Sequence, residues 1–251
     1  MSFYDLNKEE RIVLVNEINH HIISDVKKGE QNHIISYFSD EDTYIRKTTY
    51  LTIGKIYKAN KELHAVILQL LNSLFKSGNE KVRQTVINSA GEIGMKDFTP
   101  IEKLMEQGLF DEHHSVRNAV IGSIKKMSQK NPQPTLTFAK RFIHHDDKEI
   151  RREICHGIEL RGRTHPQDIL PMLKELQYDK TARVKNTLVH VLGQIAYKKG
   201  CLETVIAHLK TWENLELVNQ AIDEIIDVHH RYKNFALKTQ EEAKAYIERY
   251  F

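Results

Sequence analysis

Arg152, His156, Arg163 and His190 are the side chains of this 251-residue sequence whose types and spacing could do chemistry together. Arg152 and His156 lie four apart, so on a helix they share one face. His190 follows His156 by 34 residues, and Lys125 and Lys126 stand upstream. Guanidinium, ammonium and imidazole groups gathered on one face would hold phosphate or carboxylate groups through charge-assisted hydrogen bonds. The candidate anionic-partner site is therefore Lys125, Lys126, Arg152, His156, Arg163 and His190.

Other chemistries fit the residues less well. Fourteen histidines include the pairs His20-His21, His113-His114, His144-His145 and His229-His230. Adjacent histidines on a helix point about 100° apart. Zinc ligands must all come within about 2.3 Å of one metal, so a pair alone is no site. No His-Glu-x-x-His or Cys-x-x-Cys occurs. His156 and His190 with Glu224 come nearest to a ligand set, but the expectation is no metal and no cofactor. Cys155 falls at a position that is Ile87, Ile121 or Val189 in sister segments, so it reads as core rather than as a nucleophile. Asp146-Asp147 and Glu241-Glu242 read as a turn and a helix start. No glycine-rich phosphate loop is present, and no catalytic residue is assigned.

The elements that would carry these side chains show as an internal repeat. Ile45-Arg46, Val82-Arg83, Val116-Arg117, Ile150-Arg151 and Val184-Lys185 recur, closing with Val218-Asn219. The first spacing is 37 residues and the next four are 34. Four and eight positions after each anchor come further apolar or small residues, such as Val120 and Ile124, or Leu188 and Leu192. Positions 0, 4 and 8 share a helix face, so each unit contains a helix with a buried stripe. Five positions before the anchor stand Asp40, Ser77, Asp111, His145, Asp179 and Glu213, where Asp or Ser predicts an N-cap. Shorter amphipathic helices precede the anchors, at 63–75, 98–109, 136–143, 169–176 and 202–209. Two helices per 34 residues make a helical hairpin, which must stack on its neighbours to bury its apolar face.

Positions two and six after the anchor give the polar face of each second helix. The first set is Lys47, Gln84, Asn118, Arg152, Asn186 and Gln220. The second is Leu51, Asn88, Gly122, His156, His190 and Glu224. Charge gathers in the same region. Residues 117–200 carry 17 basic and 8 acidic side chains, against 14 and 17 for residues 1–116 and 6 and 9 for residues 201–251. The basic set includes Lys140, Arg141, Lys148, Arg151, Arg161, Arg183, Lys185, Lys198 and Lys199 as well as the site residues. A basic middle suits a polyanion, although Arg117, Arg151 and Lys185 stand at positions that could instead join repeats.

Asp111 to Val116-Arg117 and Asp179 to Val184-Lys185, with Gly54, Gly91 and Gly193 at a later position, resemble the HEAT repeat over residues 30–230. The resemblance implies an all-α, right-handed α-α superhelix of about six helical hairpins with capping helices. It also implies an Asp–basic ladder between consecutive repeats. The expected organisation is one domain over 1–251: an N-terminal capping helix within 1–29, repeats over 30–235 and a C-terminal helix within 236–251.

The stretch 136–226 further resembles the DNA alkylation repair family of HEAT-like glycosylases. Ala139-Lys140-Arg141-Phe142-Ile143, a His-His-Asp-Asp turn and Ile150-Arg151-Arg152-Glu153-Ile154 carry that resemblance. It implies duplex DNA on a basic concave face and excision of alkylated bases by a carboxylate, an arginine and two tryptophans. Arg152 stands where the family has its arginine. His190 and His113 stand at the aromatic positions, and Arg117 at that of the carboxylate. A cation there would oppose the positive charge that develops on the sugar. The expected function is thus a non-enzymatic binding module for a protein or nucleic-acid backbone. The alternative is a DNA-binding relative of the glycosylases, with Glu92, Glu159 or Glu224 as a carboxylate beside Arg152.

Composition bounds the remainder. With 40% hydrophobic residues and a net charge of +3 the chain can build a core. Two cysteines cannot form a disulfide framework. Met1-Ser2-Phe3-Tyr4-Asp5 followed by charged residues predicts no signal peptide, and no apolar run approaches a membrane span. A cytoplasmic protein without membrane contact is expected.

Overall fold

The computed structural model describes residues 3–198 and 200–251; Lys199 of the basic set lies outside them. Helices account for all regular structure among the described residues, grouped in two compact units, Met1–Asn131 and Pro132–Phe251. No helix among them is long and apolar enough to cross a membrane.

The first unit opens with α1 (Lys8–Lys28). Asn7 and Glu10 close a capping box at its start, and Gly29 ends it with φ of 70°. Three hairpins follow: α2 (Ile34–Ser39) with α3 (Thr43–Ala59), α4 (His64–Leu74) with α5 (Glu80–Gly94), and α6 (Glu102–Leu109) with α7 (His114–Lys130). The longer helices stack in the order α1, α3, α5, α7. The second unit contains α8 (Pro132–Lys140) with α9 (Lys148–Gly157), a short α10 (Glu159–Gly162), α11 (Leu170–Lys174) with α12 (Ala182–Ala196), α13 (Cys201–Leu209) with α14 (Leu215–Arg231), and the closing α15 (Gln240–Tyr250). Its longer helices stack as α9, α12, α14, α15.

The apolar stripes form the core. Val82, Val86 and Ala90 are buried, as are the matching triplets of α7, α9 with Ile158, and α12. In α14 the stripe turns: Ala221, Ile225 and Val228 are buried, while Ile222 and Ile226 are half-buried. That helix is followed by the single helix α15 rather than by another hairpin.

The capping assignments require correction. The residues whose side chains cap the anchor helices are Asp42, Asn79, His113, Asp147 and Asn214, and Thr181 holds the N-cap position of α12. The position five before the anchor lies further out and does other work. Asp111 accepts the His113 backbone N–H at 2.8 Å and a two-pronged contact from Arg83 at 2.7 and 3.1 Å. Asp179 does the same for Thr181 and for Arg151, at 2.6 and 3.2 Å. Each arginine also donates to a carbonyl of its own hairpin turn, Ser77 at 2.9 Å and His145 at 2.7 Å. These pairs, Arg83–Asp111 in the first unit and Arg151–Asp179 in the second, are rungs of the expected ladder. Short-helix boundaries shift as well. The helix expected at 136–143 starts at Pro132, whose ring suits a first helical turn. The one expected at 169–176 contracts to α11.

A pH effect arises from the core of the second unit. His229 is buried, and its Nδ1 lies 2.7 Å from the Ile225 carbonyl. Burial pulls this imidazole below its ordinary value of 6.5, against the opposing pull of the carbonyl. His208, half-buried beside Trp212, is lowered for the same reason. The folded state therefore binds these protons less readily than the unfolded chain. Their contribution is present above pH 6.5 and is lost as pH falls below it. Urea midpoints should fall between pH 7 and pH 5, and His229→Gln should flatten that slope; an unchanged slope in the variant would assign it elsewhere.

Candidate functional site

The fourth anchor helix, α9, departs from its sisters at two buried positions. Three residues after the anchor the other repeats have Thr48, Thr85, Ala119, Thr187 and Ala221; α9 has Glu153, buried. Nine after it, Gly54, Gly91 and Gly193 let neighbouring helices approach; here stands Glu159, also buried. The helix breaks at that point. α9 ends at Gly157, and Glu159 opens the single turn α10.

A buried carboxylate needs partners. Glu159 has Arg163 Nη2 at 2.5 Å on Oε1 and His156 Nδ1 at 2.9 Å from Oε2. Arg163 also donates to Gln194 Oε1 at 2.6 Å, with its guanidinium 5.9 Å from the Tyr197 ring centre. Glu153 lies 3.5 Å from Arg152 Nη2.

Arg152, His156, Arg183, Asn186, Thr187 and His190 line an open groove of about 340 Å³ on the α9 and α12 faces. The two-and-six rule thus places Arg152, His156, Asn186 and His190 on one surface. The imidazoles of His156 and His190 lie 6.0 Å apart, centre to centre. Burial pulls His190 below its ordinary value; Glu159 opposes this and His156 adds to it. Arg163 is not among the residues lining the groove and turns inward to Glu159 and Gln194. Lys125 and Lys126 belong to the first unit. There Lys126 pairs with Glu92 at 2.9 Å and stands 5.2 Å from the Tyr50 ring centre, and Lys125 is half-buried.

The groove's charge is more balanced than the sequence count suggests. Glu149 bridges Arg152 at 3.0 Å and Arg183 at 2.9 Å. Glu224 holds Arg231 at 2.5 Å and lies 3.8 Å from His190 Nδ1. The carboxylates beside Arg152 are therefore Glu149 and Glu153. Of the three candidates from sequence, Glu159 and Glu224 face other partners, and Glu92 sits in the first unit. Glu149 and Glu153 were not among the three carboxylates named from the sequence. For Glu153 and Glu159, the departure from the sister repeats was the available signal. Cys155 is fully buried, and burial pushes its thiol well above the usual range, so it is inert core.

No protein-family model matches the chain, and no curated protein does. Solved structures do share its fold. AlkD2 from Streptococcus mutans is 16% identical with a TM-score of 0.56, the match covering 83% of this chain and 97% of that one. The smu.31 protein from Streptococcus mutans UA159 is 15% identical with a TM-score of 0.54, covering 81% and 97%. The fold is that of a HEAT-like helical-repeat protein.

Proposed function

We propose that this chain is a binding module whose second unit presents the Arg152–His190 groove to an anionic stretch of a partner. The observation that carries this reading is the lining of the groove. Arg152, Arg183, Asn186 and two imidazoles supply hydrogen-bond donors along one open surface, which Thr187 also lines. Arg183 is 62% exposed and spends one N–H on Glu149, which leaves further guanidinium donors turned to solvent. The single-domain organisation belongs to the same proposal.

The likeness of residues 136–226 to the DNA alkylation repair family favours duplex DNA as the first polyanion to try. The catalytic alternative has less support. Arg152 is tied to Glu149 and Glu153, and the carboxylate position of that family is Arg117 here.

Fluorescence anisotropy with a labelled duplex at two salt concentrations tests the reading. Affinity should fall steeply with salt. Arg183→Glu should weaken binding about tenfold and reduce the salt slope by roughly one for each phosphate it no longer neutralises. Absence of binding at low salt removes nucleic acid and leaves an acidic protein. Equal affinity in the variant removes the groove.

A further inference from the structure

We infer that His156, Glu159 and His190 form a binding site for a divalent transition-metal ion, zinc being the natural occupant. Each offers a donor atom, and the three atoms lie within 4.8 Å of one another. Glu159 anchors the set. It is a carboxylate with 1% of its side chain exposed, standing where three sister repeats have glycine. Arg163 occupies one oxygen, Oε1, and fixes the carboxylate in place. The other, Oε2, is turned toward His156 Nδ1 at 2.9 Å. That separation is already close to the roughly 3.3 Å expected between two ligand atoms of a tetrahedral zinc ion.

The approach of His190 completes the set. Its side chain is 43% exposed, so a small rotation about its side-chain bonds can shorten the remaining distance by the roughly 1.5 Å required. Two imidazoles and one carboxylate are borderline ligands that suit zinc better than magnesium or calcium, which prefer all-oxygen shells. His156 is 31% exposed and lines the groove with His190, so the fourth coordination position opens to solvent. The surrounding charge is compatible. Glu224 lies 3.8 Å from His190 Nδ1, so a dication would face that carboxylate as well as the Arg163 guanidinium and the groove arginines Arg152 and Arg183, which Glu149 bridges. An outer carboxylate and an arginine that orients a ligand are the supports such sites use.

The site stands independently of any partner, so its test uses the cation alone. The full chain, stripped of metal with a chelator, is titrated with Zn²⁺ by calorimetry and with Co²⁺ by visible absorption. One ion per chain should bind with a tetrahedral cobalt band. His190→Ala, at a half-exposed position, should lose at least tenfold in affinity and abolish the band. Glu159→Gln should do likewise, with circular dichroism confirming its helix content. His21→Ala, in the first unit, should change neither. No saturable binding overturns the inference, as does binding that survives His190→Ala unchanged, because the ion would then sit on surface histidines elsewhere.

Discussion

Arg151→Ala is expected to destabilise the second unit by about 3–5 kcal/mol, read as a shift of its urea midpoint. Asp179 is 4% exposed and Arg151 15%, so the pair is almost out of water. Burial by itself would raise the Asp179 carboxyl. The Arg151 fork and the Thr181 backbone N–H and hydroxyl outweigh it and hold the carboxyl below its ordinary 3.8. Removing the arginine strands that charge and frees the His145 carbonyl that Arg151 also serves. The double replacement Arg151→Met/Asp179→Leu should recover most of the loss, since a well-packed apolar pair can stand in for a buried ion pair. Arg83→Ala should behave in the same way in the first unit, where Arg83 and Asp111 are 11% and 6% exposed. Lys244→Ala, breaking an exposed pair with Glu248, should cost well under 1 kcal/mol. If Arg151→Ala proved as mild as Lys244→Ala, the ladder would be decoration on a fold held by its apolar stripes alone.

Gly91→Val carries the second large effect, a loss of about 3 kcal/mol. Gly91 on α5 faces Ser123 on α7, and a Cβ placed there would lie 2.6 Å from the Ser123 Cβ and 3.3 Å from its Cα. The contact with the Ser123 Cβ matters most, because that atom is fixed to its backbone and can yield only if the helix moves. At Gly193 the nearest atom is Glu224 Cγ at 2.6 Å, which has more freedom, so the same change there should cost less. Gly122→Ala is the matched opposite. A Cβ at that position meets nothing within 4 Å, so the substitution should stabilise α7 by up to about 1 kcal/mol through helix propensity. Thermal or urea melts of the three variants separate the two explanations. Equal losses at 91 and 122 would mean that these glycines act through the unfolded chain rather than through helix approach.

The 34-residue period, the two helices per unit and the buried stripe at positions 0, 4 and 8 were legible in the sequence. They rest on helical periodicity, which is local and is imposed by burying one face. The polar positions at two and six also came through, since the same periodicity fixes the face they share. The ladder was legible as a pattern, although the aspartates proved to sit outside the caps. Asp40, Asp111 and Asp179 precede true N-cap residues by two, and an Asp near a helix start reads the same whether it caps that helix or pairs with its neighbour. What only the tertiary structure decided is which charges meet. Glu149 meets both Arg152 and Arg183, Glu153 lies beside Arg152, Glu224 holds Arg231, and Arg163 turns inward onto Glu159. Pairing depends on distances across stacked helices and on burial, neither of which spacing along the chain contains. The meeting of His156 and Glu159 with a histidine 31 residues further on is of that kind, because α10 breaks the helix at the point where its sisters run straight.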